Sequence, residues 1–138
     1  ISLRQGSMNE GALSSLLDGV RGRQLVVLDS CHAGSLAGVV QGRANRTGLF
    51  SSRAEESSYV ADELRAGGYL AHAFIEAVEN GADQNRDGVV ELNELAGHAR
   101  NVYQQHVHGR QNLVVASGAG RAATLWRTAG AGTAVAMR

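Results

Sequence analysis

The sequence predicts an α/β fold, with an open sheet and helices that flank it. Leu25 to Leu28 form a short apolar run of branched side chains, which is typical of a strand buried on both faces of a parallel sheet. Polar side chains follow this run at once, at the strand end where α/β sheets place their ligand crevices. Apolar residues at helical spacing precede and follow the run, so helices are expected to cover the sheet. A chain of 138 residues is long enough for one domain with its own core.

The first predicted helix covers residues 8 to 20 and leads directly into this strand. Ser7 and Glu10 have the spacing of a capping box. An apolar stripe recurs at helical spacing and is formed by Leu13, Leu16, Leu17 and Val20. Gly22 lies just past the helix, where a left-handed residue can close it. A helix followed by such a strand is half of a βαβ unit, and the other half is expected before Ile1.

The middle of the chain is predicted to contain two loops and one short strand. Residues 35 to 48 show little periodicity and contain Arg43 and Arg46, so an exposed loop is expected there. A short strand is predicted at residues 47 to 52. A polar loop is predicted at residues 53 to 59.

The second half is predicted to contain two helices and a third strand. The helix at residues 68 to 80 is expected to turn one face inward, formed by Leu70, Phe74, Ala77 and Val78. The helix at residues 92 to 105 is expected to do the same with Leu92, Leu95, Ala99 and Val102. The third strand is predicted at residues 112 to 116. Residues 117 to 138 are rich in Gly, Ala, Thr and Ser without a clear period, which predicts a disordered tail or a linker.

Net charge, apolar runs and cysteine count limit which partners and which cellular location are expected. Thirteen basic and thirteen acidic residues cancel, so the charge predicts neither nucleic acid nor a membrane surface as a partner. The sequence contains no run of about 20 apolar residues and no signal-peptide pattern at its start. The single cysteine cannot form an internal disulfide, which favours a reducing, cytoplasmic location.

Residues 29 to 34, Asp-Ser-Cys-His-Ala-Gly, combine an acid, a cysteine and a glycine at a predicted strand end. This segment resembles the nucleophile segment of the caspase-like cysteine peptidases, in the metacaspase and bacterial caspase-like branch. Further points of similarity are the Ser-Ser pair after the next strand, Gly-Gly-Tyr-Leu-Ala-His-Ala-Phe at residues 67 to 74, an Asp-rich loop, and a last strand that starts near Gln111. The chain has Gln-Asn-Leu there, where the family usually has Gln-Thr-Pro.

The resemblance covers residues 1 to 116 and implies the carboxy-terminal part of a caspase-like domain. The implied fold is an open, mostly parallel sheet with flanking helices, from which the early strands are missing. Cys31 is the implied nucleophile. The implied general base is a histidine about 50 residues upstream, which would fall before Ile1. The missing amino-terminal part of the domain is therefore an expected partner, and these residues alone are expected to be inactive. A buried structural cysteine is the alternative for Cys31.

Asp29 is two residues before Cys31 and shares its face of the strand, because side chains alternate with a period of two. In metacaspases the matching Asp lines the pocket for the side chain on the acyl side of the scissile bond. The resemblance therefore implies protein or peptide substrates with Arg or Lys at the cleavage site. Arg43 and Arg46 are then candidate sites of self-cleavage. The alternative is that Asp29 only caps a turn by accepting hydrogen bonds from backbone amides.

Residues 83 to 94 match the EF-hand pattern Asp-x-[Asp/Asn]-x-[Asp/Asn]-Gly-x5-Glu. Gly88 occupies the position where such a loop turns sharply. The candidate oxygen ligands for Ca²⁺ are Asp83, Asn85, Asp87, the Val89 carbonyl, Glu91 through a water, and Glu94. The alternative is an Asp-rich connector without a metal. The peptidase chemistry itself requires no cofactor.

Two functions follow from these motifs. The first is a cysteine endopeptidase that cleaves after Arg or Lys, with its catalytic histidine supplied from upstream of residue 1. The second is a module without catalysis, either a calcium-binding domain or a pseudo-peptidase.

Overall fold

The computed structural model describes residues 2–3, 6–62 and 67–128. These residues form short strands, three α-helices and one 3₁₀ helix. In chain order the elements are β1 (Ser2–Leu3), β2 (Gly6–Ser7), α1 (Glu10–Asp18), β3 (Gln24–Leu28), the 3₁₀ helix (Ala33–Val40), β4 (Arg46–Phe50), α2 (Tyr69–Asn80), β5 (Val89–Glu91), α3 (Leu92–His106), β6 (Val114–Ser117) and β7 (Thr124–Arg127).

Strand β4 is the centre of the main sheet, whose order is β3-β4-β6. β3 runs parallel to β4, and β6 runs antiparallel to it. β1 with β2, and β5 with β7, form two further antiparallel pairs. The α/β class is therefore confirmed. The described strands do not form the expected mostly parallel sheet, since the main sheet has one parallel and one antiparallel pair and the two smaller sheets are antiparallel.

Both faces of β3 are packed, as the apolar run predicts. Leu25 and Val27 pack against the core beneath α2 and α3, whereas Val26 and Leu28 pack against a second core formed with the 3₁₀ helix. Only Val26 of these four is buried. β3 lies at the edge of the described sheet, so its other apolar residues keep partial exposure.

Helix α1 differs from its prediction at its start and on its apolar face. Its cap is Asn9, whose Oδ1 accepts a hydrogen bond from the Ala12 amide, and not Ser7, which belongs to β2. None of its residues is buried, and Leu16 is 62% exposed. Val20, predicted to lie inside, is also exposed. The helix contacts the core only along one narrow line, through Leu13 and Leu17.

Helices α2 and α3 lie close to their predicted positions. All four predicted inward residues of α3 are buried. On α2, Leu70 and Ala77 are buried and Phe74 is half-buried, but Val78 is 57% exposed. The core stripe of α2 runs through Ala73, and Val78 lies beyond its edge. None of the described helices has both the length and the apolar character needed to cross a membrane.

The exposed loop predicted at residues 35 to 48 is largely absent. The 3₁₀ helix occupies its first part, and Val39 and Val40 are buried. Arg46 is the first residue of β4, and its side chain is 1% exposed. Its guanidinium donates to Gln24 Oε1 at 2.6 Å, to the Val39 carbonyl oxygen at 2.9 Å and to Asp18 Oδ1 at 2.8 Å. A buried residue in the central strand is inaccessible to a peptidase, so the prediction of self-cleavage after Arg46 is wrong.

The tail predicted after residue 116 is ordered as far as residue 128. β7 pairs with β5, and Val90 lies opposite Trp126. The carbonyl oxygens of residues 121 and 123 accept hydrogen bonds from the first amides of α3. The tail therefore satisfies backbone donors that a helix start leaves free. Residues 129 to 138 lie outside the described residues.

Candidate active site

Cys31 lies where the chain leaves β3 and turns into the 3₁₀ helix, and it is exposed. The turn is made by His32, whose φ of 59° is left-handed. The chain then passes close to the end of β4, where the Gly34 amide donates to the Ser52 carbonyl oxygen at 2.8 Å. A Cβ on Gly34 would lie 2.7 Å from that oxygen, so this approach requires glycine.

Cys31 opens onto a groove of about 370 Å³ at the carboxyl end of β3. The groove is formed by three parts of the chain: the residues after β3, the segment 58–60, and the start of α2. Its lining residues are Asp29, Ser30, Cys31, Ser58, Tyr59, Val60, Gly67, Gly68 and Ala71. The structure therefore brings the two residues predicted for catalysis and specificity onto one surface.

The Asp29 carboxylate also caps helix α2. Its Oδ2 accepts from the Ala71 amide at 2.8 Å, and its Oδ1 accepts from Ser58 Oγ at 3.3 Å. The residue at the cap position of α2 is Gly68, which has no side chain to do this. A Cβ at Gly68 would collide with the carboxylate. The capping role considered as an alternative for Asp29 is therefore present, at a residue that also lines the groove.

Asp29 influences a buried tyrosine behind the groove. Burial raises the pKa of Tyr103 far above its usual value of 10.0, and the negative charge of Asp29 raises that pKa further. The neutral phenol of Tyr103 donates to the Ser51 carbonyl oxygen at 2.8 Å. Tyr103 is thereby held as a fixed hydrogen-bonding group at the end of β4.

The segment 58–60 contacts the sulfur of Cys31 directly. The Ser58 amide donates to Cys31 Sγ at 3.3 Å, and the thiol faces the Ser58 carbonyl oxygen at 3.7 Å. Among the described residues, the backbone amide of Cys31 has no acceptor.

No histidine of the described residues forms a hydrogen bond with Cys31. Nδ1 of His32 lies 2.9 Å from the Ala54 carbonyl oxygen. Nε2 of His72 and Nε2 of His98 each lie 3.5 Å from Glu76 Oε2. His106 stacks on Tyr69, with 5.3 Å between the ring centroids. The fifth, His108, is an exposed residue after α3.

Sequence reasoning missed three residues that build the site: Ser58, Glu56 and Gln111. Glu56 accepts from the Asn112 amide at 3.0 Å and from Asn112 Nδ2 at 2.7 Å, which ties the 53–59 segment to the start of β6. Although burial raises the pKa of Glu56, hydrogen bonds from the Arg53 amide and from Asn112 outweigh it and hold the pKa below its usual 4.5. The only signal in the sequence was that polar residues cluster in these two segments.

The predicted calcium loop has helices on both sides and the expected sharp turn at Gly88, whose φ is 83°. Asp83 accepts from the amides of Asp87 and Gly88 at 3.1 and 2.8 Å. Asn85 Oδ1 accepts from the Asp87 amide at 2.8 Å, and Asp87 Oδ1 from the Val89 amide at 2.9 Å. These oxygens are turned into the loop, where they satisfy its backbone.

Glu94 closes the same loop. It is buried, and its carboxylate accepts from the amides of Gln84, Asn85 and Glu91 at 3.0, 3.3 and 3.0 Å. Glu91 and Glu94 also form a capping box at the start of α3. Within the described part of the chain, no three His, Cys, Asp or Glu side chains are arranged to hold a metal ion. The residue types suit calcium, but their arrangement is that of a loop closed by its own amides.

Searches against protein families, curated proteins and solved structures each returned no match.

Proposed function

We propose that this chain carries the nucleophile and the specificity carboxylate of a caspase-like cysteine endopeptidase that cleaves after Arg or Lys. The observation that supports it is the shared groove at the end of β3, with exposed Cys31 and the Asp29 carboxylate both on its lining. The histidine base is supplied by a segment upstream of residue 1. The assignment to the caspase-like class rests on the resemblance of the motif at residues 29 to 34.

In this proposal the Cys31 thiolate attacks the carbonyl carbon of the scissile bond. A thioester forms, the amine leaves with a proton from the imidazolium, and water then hydrolyses the thioester. The free N–H of Cys31 donates to the oxyanion, which is the role of a backbone donor in acyl transfer. The Ser58 amide donates a hydrogen bond to the sulfur at 3.3 Å and so orients the nucleophile.

Asp29 retains the capacity to bind a substrate guanidinium. A carboxylate offers about four acceptor positions. Two are used by the Ala71 amide and by Ser58 Oγ. The remaining positions can accept from the paired N–H groups of an arginine, and a charged donor gives such bonds about twice the strength of neutral ones.

Covalent peptide probes test this proposal on the 138-residue chain. Peptidyl acyloxymethyl ketones that differ only in the residue on the acyl side, Arg against Asp, are compared by mass spectrometry. The Arg probe is expected to label Cys31 faster, and Cys31→Ala is the control for labelling elsewhere. Equal labelling by both probes would refute the basic specificity. Cleavage of Arg peptides by the protein extended upstream of Ile1, lost in Cys31→Ala, tests the peptidase itself.

A second candidate function is calcium binding by residues 83 to 94. The observation that favours it is the inward turn of the Asp83, Asn85 and Asp87 oxygens around a left-handed Gly88. Binding requires Glu94 to release its amide partners. Trp126, the single tryptophan, lies opposite Val90 and reports on the loop by fluorescence. Calcium titration to millimolar concentration is expected to change its emission, and Asp87→Asn to weaken the response. No change, with no heat in calorimetry, would exclude this function.

A further inference from the structure

Gln111 is the most completely hydrogen-bonded side chain behind the groove. It is 2% exposed and lies in the turn before β6. Its Nε2 is 2.6 Å from the Ser51 carbonyl oxygen, 3.0 Å from the Tyr103 hydroxyl and 3.1 Å from Ser58 Oγ. Its Oε1 is 2.7 Å from the Tyr59 amide nitrogen. One side-chain amide thus joins the end of β4, helix α3 and the segment that covers Cys31.

The partners of Gln111 fix the orientation of its amide. The Tyr59 N–H can only donate, so the atom facing it is the oxygen. The Ser51 carbonyl can only accept, so the atom facing it is the nitrogen. Ser58 Oγ therefore accepts from Gln111, which leaves the hydroxyl proton of Ser58 for Asp29 Oδ1. The direction of the whole chain of hydrogen bonds follows.

Both Asp29 and Cys31 are linked to Gln111 through hydrogen bonds made by Ser58. Ser58 Oγ contacts Asp29, and the Ser58 amide contacts the Cys31 sulfur. Gln111 holds Ser58 at Oγ and holds the next residue at its amide nitrogen. The ring of Tyr59 is further held by Arg110, whose guanidinium carbon is 5.0 Å from the ring centre.

We propose that Gln111 is a positioning residue, which sets the distance of the Ser58 amide from the Cys31 sulfur and thereby the reactivity of the thiolate. This inference rests on the proposed function, since it concerns the same nucleophile. Gln111 lies behind the segment and acts through Ser58. Its role is therefore distinct from that of Asn112, which binds Glu56 in the earlier part of the same segment.

The test is alkylation of Cys31 by iodoacetamide in the 138-residue chain, which has no other cysteine. Gln111→Met keeps the side-chain volume and removes the hydrogen bonds. We expect its alkylation at neutral pH to slow by roughly fivefold, because Gln111 no longer holds the Ser58 amide against the sulfur. The pH–rate profile of alkylation is expected to move to higher pH. Asn112→Ala, the matched control, is expected to alkylate like the unmodified chain.

Hydrogen exchange at the Tyr59 amide shows whether its hydrogen bond to Gln111 has been lost. Fast exchange in Gln111→Met with an unchanged alkylation profile would overturn the proposal, and so would an equal slowing in Asn112→Ala. If Gln111→Met fails to fold, Tyr59→Pro is the second variant. It removes the Tyr59 N–H that donates to Gln111 Oε1, and it is expected to slow alkylation in the same way. The assay requires no peptidase activity. Slowed alkylation in Gln111→Met, together with no cleavage of Arg peptides by the protein extended upstream of Ile1, would therefore support the role of Gln111 and count against the proposed function alone.

Discussion

The carboxylate of Asp29 accepts a hydrogen bond from the backbone amide of Ala71, with 2.8 Å between Oδ2 and the nitrogen. This bond joins the end of β3 to the first turn of α2. A residue expected to bind substrate is thus also part of the fold. The two roles differ in what they need, because capping requires an acceptor and recognition of arginine requires a negative charge.

Asp29→Asn is predicted to separate these roles. The amide oxygen of asparagine can still accept from the Ala71 amide, so the free energy of unfolding is expected to stay nearly constant. The preference for Arg over Asp probes at Cys31 is expected to disappear. Asp29→Ala should lose both properties and cost about 1 kcal/mol of stability in urea denaturation. An Asp29→Asn chain that keeps its Arg preference would assign specificity to another residue.

Gly34→Ala is predicted to destabilise the turn that presents Cys31. The new Cβ would meet the Ser52 carbonyl oxygen at 2.7 Å, and backbone on both sides has little room to move. Overpacking of this kind is expected to cost about 2 kcal/mol. Gly11→Ala, in the first turn of α1, is the control, since its Cβ would meet nothing closer than 3.5 Å. Equal midpoints for the two variants in thermal unfolding would contradict the close approach.

Arg46→Met is predicted to lower the free energy of unfolding by about 3 kcal/mol, because it leaves buried acceptors on Gln24 and Val39 without a donor. Arg43→Met is the matched control. Arg43 binds the same Asp18 at 3.1 Å but is 45% exposed, so its loss should cost less than about 1 kcal/mol. Similar losses for the two variants would show that burial of Arg46 contributes little.

Glu56 is predicted to stabilise the fold in a pH-dependent way. Its pKa is lowered in the folded chain, so its contribution is fully present above pH 4.5 and is lost as the pH falls below that value through the folded pKa. The stability difference between the unmodified chain and Glu56→Gln should therefore shrink on acidification. Glu55→Gln, an exposed neighbour, is the control. A difference that stays constant down to acid pH would contradict this role.

Periodicity predicted the parts of the fold that carry long apolar patterns. Leu92 to Val102 recur at helical spacing because one face of α3 is fully buried, and the apolar run of β3 is packed on both faces. The site was placed by the same logic, since Asp29 and Cys31 follow that run with a period of two. In the structure both residues lie beyond β3, which ends at Leu28, and they line one groove together with the segment 58–60.

The remaining features depend on contacts between distant segments, which a local pattern does not encode. The sequence predicts that Arg46 is exposed, because the acceptors that allow its burial, on Gln24 and Val39, are distant from it in the sequence. The strand at residues 124 to 127 is short and follows glycines and alanines, and it exists because β5 offers it an edge. Gln111 was visible only as the start of a strand, because its four partners come from three other parts of the chain.

The pairing of β7 with β5 makes the middle of the chain depend on its last described residues. Backbone groups of residues 88, 92 and 93 find their partners only in residues 121 to 128. During synthesis on the ribosome, α2 and α3 can therefore assemble early, while the loop between them keeps unpaired donors and acceptors until residues 121 to 128 have been translated. A nascent chain that stalls before residue 121 would present this unfinished edge to chaperones and proteases.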